Sequence, residues 1–150
     1  MEFIDPTNLL ACCGSSAWVR RMTGAQPFAS VAAIHAAADV AFAAMSADDW
    51  KEAFAAHPRI GEQTSDKWAR QEQSGVDSDR VTLDRLAELN LVYAAKFGYI
   101  YIVCATGKSA GEMLAILEAR IGNDPETELR IAACEQAKIT HLRLNKLLEL

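Results

Sequence analysis

Tyr99-Ile100-Tyr101-Ile102-Val103-Cys104 is the one stretch of this sequence with strand character, and its reading decides the fold class. Aromatic and β-branched residues in alternation suit a pleated surface. A run of this length with no partner run elsewhere cannot build a sheet, so it reads as an extended connector through the core of a helical domain. Outward from it, both flanks are helical. On the amino-terminal side, Asp79 to Phe97 reads as a long helix with Leu83, Leu86, Leu89, Asn90 and Tyr93 turned inward and Gly98 as its stop. On the other side, Ser109-Ala110-Gly111-Glu112 is a capping box for a helix to Ile121 that Gly122 ends. Asp124-Pro125 then opens a last helix that runs almost to the carboxyl terminus.

The first half is helical too. Asp5-Pro6 starts a helix ending near Gly14, and a short one covers about Ser16 to Met22, broken by Thr23-Gly24 and Gln26-Pro27. Ser30 caps a helix to about Met45, with Val31, Ile34, Ala38, Phe42 and Met45 along one face. Ser46-Ala47-Asp48-Asp49 caps the next, which carries Trp50 and Phe54 and stops at Ala56. A short helix is expected from about Asp66 to Ser74, ended by Gly75. The 27 alanines favour helix without adding bulk. The expectation is an all-α, compact single-domain bundle of six to eight helices spanning 1–150.

Fifteen Lys and Arg against 20 Asp and Glu give a net charge of −5, which argues against a protein that binds nucleic acid by neutralising phosphates. A basic recognition helix is also missing, which disfavours a helix-turn-helix regulator. No apolar run reaches the length of a membrane span, and Met1-Glu2-Phe3-Ile4-Asp5-Pro6 is unlike a secretory signal. Leu148-Glu149-Leu150 carries no peroxisomal or endoplasmic-reticulum address, so the cytoplasm is the expected compartment. Cys12, Cys13, Cys104 and Cys134 form no Cys-x-x-Cys, and His35, His57 and His141 have no ligand-like spacing. The thiols read as reduced, mostly buried small hydrophobes, and no metal site is expected.

Three residues ask for more than the fold. On the last helix Leu129, Ala132, Ala133, Gln136, Ile139 and Leu147 make one stripe, with Arg130, Lys138, His141 and Glu149 on the other side. Arg143 falls near the centre of the apolar stripe, where a guanidinium is costly unless it is paired or reaches water. It either sits in a structural ion pair, or snorkels past the helix end, or is a fixed cation for an anionic substrate. His57 follows a helix terminus and precedes Pro58, which biases it away from helical angles. It either caps the last carbonyls or moves protons near neutral pH. Glu72 lies four residues after Trp68 and three after Ala69, either a surface partner of Arg70 or Lys67 or a carboxylate whose proton affinity is raised against the indole. His35, one residue from the Ile34 face, reads as a packing or boundary residue.

These residues and their neighbours carry a resemblance. Phe54-Ala55-Ala56-His57-Pro58-Arg59-Ile60-Gly61 resembles the His-Pro loop of the 2-oxo-4-hydroxy-4-carboxy-5-ureidoimidazoline (OHCU) decarboxylases of urate breakdown. Glu72-Gln73-Ser74-Gly75 is similar to their Glu-Gln-(small)-Gly element. Leu89-Asn90, Tyr93 and Lys96-Phe97-Gly98-Tyr99 with Ile102-Val103-Cys104 resemble their central stretch. Asn123 to Glu128 and Lys138-Ile139 with Leu142-Arg143-Leu144 complete the pattern, every block in order.

The resemblance implies an all-helical homodimer, without metal or organic cofactor, that decarboxylates OHCU, a small anionic molecule, to (S)-allantoin. It implies His57 as the catalytic histidine and Glu72 beside it. Pro58, Ala69, Glu72, Gln73 and Arg143 would line the substrate site, with backbone groups of Ile100, Tyr101, Ile102, Val103 and Cys104. Two departures are visible. Ala69 stands where many members carry a serine hydroxyl, and the loop near Glu62 to Asp66 is shorter than in much of the family. Two other readings remain at this point: the same scaffold acting on another small heterocyclic acid, and a non-catalytic helical interaction module.

Overall fold

The structure is a computed structural model that describes residues 3–59 and 80–148. Seven helices are present among the described residues: α1 Pro6–Cys12, α2 Ser16–Ala25, α3 Val31–Ala43, α4 Ala47–Ala55, α5 Arg80–Phe97, α6 Ala110–Arg120 and α7 Pro125–Leu147. No strand occurs among them, so the fold is all-α and Tyr99–Cys104 is a connector, as its isolation predicts. The helix expected from Asp66 to Ser74 lies outside the described residues.

The helix starts follow local chemistry. The Asp5 carboxylate accepts the Thr7 N–H at 2.7 Å, and the Ser15, Ser30, Ser46 and Ser109 hydroxyls each accept an N–H from the first turn of their helix. At Ser46 and Ser109 the capping box is complete, with Asp49 and Glu112 returning to the cap N–H. Asp124 takes the Thr127 N–H and hydroxyl at 3.0 and 2.7 Å, and those bonds hold its carboxyl below the usual range. Helix α2 runs to Ala25, past the expected end at Met22. A glycine inside a helix costs only about 1 kcal/mol, so Gly24 does not stop it. The break comes at Gln26, which the following proline holds in extended geometry. Gly98, at φ +84°, ends α5.

The described residues form two compact units. The first holds the residues up to Ala56 and those from Gln136 onward, that is α1 to α4 and the second half of α7. Its core includes Leu9, Trp18, Met22, Ile34, Phe54 and Leu144, all fully buried. The Trp18 indole N–H donates to the Ala38 carbonyl at 3.2 Å, so an aromatic that fills the core also keeps its one polar atom satisfied. The Trp50 indole stacks on Phe42 and donates to its carbonyl at 2.9 Å. Gly14 is needed for close approach, because a Cβ there would lie 2.5 Å from the Ala56 methyl.

The second unit contains His57 to Glu135: α5, the connector, α6 and the first half of α7. Leu86, Tyr93, Tyr101, Met113 and Leu117 are fully buried within it. Tyr93 packs against Phe97, Tyr99 and Tyr101 with ring centroids 4.6 to 5.9 Å apart. The buried Tyr101 hydroxyl donates to the Met113 carbonyl at 2.9 Å, tying the connector to α6. Among the described residues no single helix is long and apolar enough to cross a membrane.

Candidate functional site

His57 is half-buried two residues beyond the end of α4, followed by the half-buried Pro58 and the exposed Arg59. The helix ends because Ala56, still in helical geometry, closes the last turn on Ala53 and Phe54, after which the His-Pro pair cannot continue it. Glu72, Gln73 and Ala69 lie outside the described residues. His57 belongs to the second unit and Arg143 to the first.

Arg143 is buried at 5% exposure, as its place in the apolar stripe predicts. Its Nη1 donates to the Ala11 carbonyl at 2.9 Å, so one part of the guanidinium satisfies the last turn of α1. Nearby, burial pushes the Cys12 thiol up to about 12, against the pull of the Arg143 charge, and burial also pushes Cys13 up to about 12. Cys104 is buried and Cys134 exposed. A buried, protonated thiol is a poor nucleophile. In the folded chain, Cys134 is expected to react with iodoacetamide at pH 8, with Cys12 and Cys13 labelled only on unfolding, as read by peptide mass mapping. Because folding raises these two pKa values from 9.0, the stability they contribute is complete below pH 9 and falls as pH rises towards about 12.

The connector is the best-defined part of the expected site. Tyr101, Ile102, Val103 and Cys104 are all buried, and residues 100–105 make neither turn nor bend. Its backbone is held by charged side chains. Arg120 Nη1 donates to the Ile102 carbonyl at 2.7 Å, Lys108 Nζ to the Cys104 carbonyl at 2.7 Å, and the Cys104 N–H donates to Glu135 Oε1 at 3.0 Å. Arg120 is fixed in turn by Glu128, which accepts from its Nε at 2.9 Å and from its Nη2. The Tyr93 hydroxyl donates to the same carboxylate oxygen, and Asn123 Nδ2 donates to the other at 3.1 Å. Burial works against charge on Arg120, and its bonds to Glu128 outweigh that, leaving its pKa above the ordinary value. Burial pushes the Tyr93 hydroxyl well above its usual pKa, and its bond to Glu128 adds to the effect.

The sequence reading missed Arg120, Glu128 and Glu135. A signal was present: at about 100° per residue, Glu128 and Glu135 fall within about 40° of Ile139, inside the apolar sector that singled out Arg143. Glu128 entered only as the last residue of the Asn123 to Glu128 block of the family resemblance. The sequence reading also missed the partner of His141. His141 is half-buried, because α3 packs His35 against it in the first unit. The two Nδ1 atoms are 2.6 Å apart, with His35 Nε2 2.8 Å from Asn145 Oδ1 and His141 Nε2 2.6 Å from Asp39 Oδ1. Facing ring nitrogens cannot both donate, so one ring gives the shared proton and the other accepts it. No group of three His, Cys, Asp or Glu among the described residues is arranged to hold a metal ion.

The profile of the OHCU decarboxylase family matches residues 6–145. The chain belongs to the OHCU decarboxylase family. It is 43% identical over 145 residues to the uric acid degradation bifunctional protein TTL of Arabidopsis thaliana, covering 91% of this chain and 45% of that protein. It is 30% identical over 138 residues to a 2-oxo-4-hydroxy-4-carboxy-5-ureidoimidazoline decarboxylase of Halalkalicoccus jeotgali, covering 88% of this chain and 78% of the other. The chain thus spans less than half the length of the Arabidopsis relative and about four fifths of the Halalkalicoccus one. A crystal structure of OHCU decarboxylase in the presence of (S)-allantoin superposes with a TM-score of 0.86 at 40% identity, covering 98% of this chain and all of the other.

Proposed function

We propose that this chain decarboxylates OHCU to (S)-allantoin in urate breakdown, without metal or organic cofactor, as a cytoplasmic homodimer. The observation that carries this reading is the end-to-end likeness to an OHCU decarboxylase whose structure was determined with (S)-allantoin present.

The chemistry asks little beyond what these side chains supply. The bond from ring carbon to carboxylate breaks and CO2 leaves, and the electron pair enters the conjugated ring C=N, whose nitrogen takes up a proton from solvent, so the substrate provides its own electron sink and one proton is consumed overall. The hydroxyl then gives up its proton to become a carbonyl, and a proton is added to the neighbouring ring carbon on one face. His57 takes the hydroxyl proton as general base, the role an imidazole fills best near neutral pH. Arg143 orients the anionic substrate as a fixed cation. Glu72 and Gln73 hydrogen-bond the ureido and ring N–H groups, with Pro58 and Ala69 lining the site. The backbone of Ile100 to Cys104 completes it.

The test is to add the chain to freshly generated urate-oxidation product and follow both OHCU loss and the optical activity of the allantoin. Rapid formation of the S enantiomer is expected. Racemic product at the background rate overturns the reading.

A further inference from the structure

The connector is buried backbone without a helix or sheet to satisfy it, and buried N–H and C=O groups are nearly always paired. The chain meets this demand with charged side chains from the helices that flank it in the second unit. Arg120 on α6 holds the Ile102 carbonyl and Glu135 on α7 holds the Cys104 N–H. These groups lie two residues apart. Along a run without turn or bend, residues 102 and 104 present their backbone polar groups to one edge, and residues 101 and 103 present theirs to the opposite edge. Tethering Ile102 and Cys104 therefore fixes where the N–H and C=O of Val103 point. Val103 is 4% exposed, and its backbone groups meet no hydrogen-bond partner among the described residues.

Arg120 suits this task because it is itself immobilised. Glu128 accepts from two of its nitrogens, Tyr93 and Asn123 anchor that carboxylate, and the guanidinium sits 5.0 Å from the Tyr101 ring centroid. A planar fork held at Nε and Nη2 has its Nη1 aimed by geometry rather than by rotamer choice. A buried ion pair alone is weak grounds for a role, since a hydrophobic pair of similar volume often stabilises as well. A hydrophobic pair, however, cannot grip the Ile102 carbonyl.

We propose that Arg120 and Glu135 are positioning residues of the decarboxylation: they clamp Ile102 and Cys104 from one edge so that the Val103 backbone faces substrate, without touching substrate themselves. The proposal rests on the reading that this chain decarboxylates OHCU on the connector backbone.

The full chain is assayed on OHCU as parent, Glu135→Leu, Glu135→Gln and Arg120→Lys, with melting temperature, kcat, KM and the enantiomeric excess of allantoin measured for each. A shift of about 1 Å in a positioning element can cost ~10²-fold, so Glu135→Leu is expected to lose about that in kcat/KM, with raised KM and reduced enantiomeric excess. Glu135→Gln, which keeps an acceptor oxygen for the Cys104 N–H, restores all three. Arg120→Lys keeps the charge beside Glu128 and loses the fork, and is expected to follow Glu135→Leu even where the leucine variant fails to fold. A purely structural role reduces the amount of active protein and leaves KM and enantiomeric excess at parental values. That result in the folded variants overturns the proposal while the decarboxylase reading stands. Absence of turnover in the parent overturns that reading first, and the clamp with it.

Discussion

His57→Ala is expected to keep the helical circular dichroism of the parent and to lose about 10²- to 10⁴-fold in turnover of the proposed substrate OHCU, the range that a positioned general acid or base contributes. The residue lies outside every helix, two positions past the end of α4, so its removal leaves the backbone ladder of that helix intact. Pro58 restricts the loop on its far side, and the half-buried ring is therefore presented rather than left to wander. The rival role predicts a different result. A histidine that only caps α4 or gains from the helix dipole contributes typically 0.3–1 kcal/mol, roughly, and its loss lowers the melting temperature without touching kcat. Measuring melting and turnover on the same preparation separates the two. A variant with parental turnover and a slightly lower melting temperature removes His57 from the chemistry.

Periodicity and capping made the helical framework legible because both are local. The serines and aspartates that begin helices, Gly98 at positive φ and the three- and four-residue spacing of apolar positions all act within one or two turns of chain. The connector was legible by elimination, since a lone run has nothing to pair with. Arg143 was legible because it stood alone on an apolar face, and it is buried there. Arg120, Glu128 and Glu135 were not read, because each looks ordinary on its own helix. Arg120 is a basic residue in the last turn of α6 and Glu128 an acid in the first turn of α7, which the helix dipoles favour on the surface too. Only the tertiary arrangement turns two favourable ends into one buried pair. His35 and His141, 106 positions apart, are hidden from sequence for the same reason. His57, Glu72 and Arg143 were singled out by their chemistry, Pro58 and Gln73 by family likeness, and of these Glu72 and Gln73 lie outside the described residues.

The pair joining α6 to α7 carries the largest stability effect expected in this chain. Glu128 is fully buried, and replacing it with alanine strips the acceptor from Arg120 Nε and Nη2, from the Tyr93 hydroxyl and from Asn123 Nδ2 at once. An orphaned buried charge is far costlier than a missing contact, and breaking such a pair from one side costs about 3–5 kcal/mol. Typical domains are stable by only about 5–15 kcal/mol, so Glu128→Ala should melt many degrees lower and shift its urea midpoint downward. The double variant Arg120→Met, Glu128→Leu removes both charges and refills the space with apolar side chains. It is expected to recover most of the lost stability, because a well-packed hydrophobic pair can match a buried ion pair. It should not recover (S)-allantoin formation, because no donor then reaches the Ile102 carbonyl. A single variant as stable as the parent would show that Arg120 finds another partner or water. A double variant with full stereoselective turnover would show that the pair serves the fold alone.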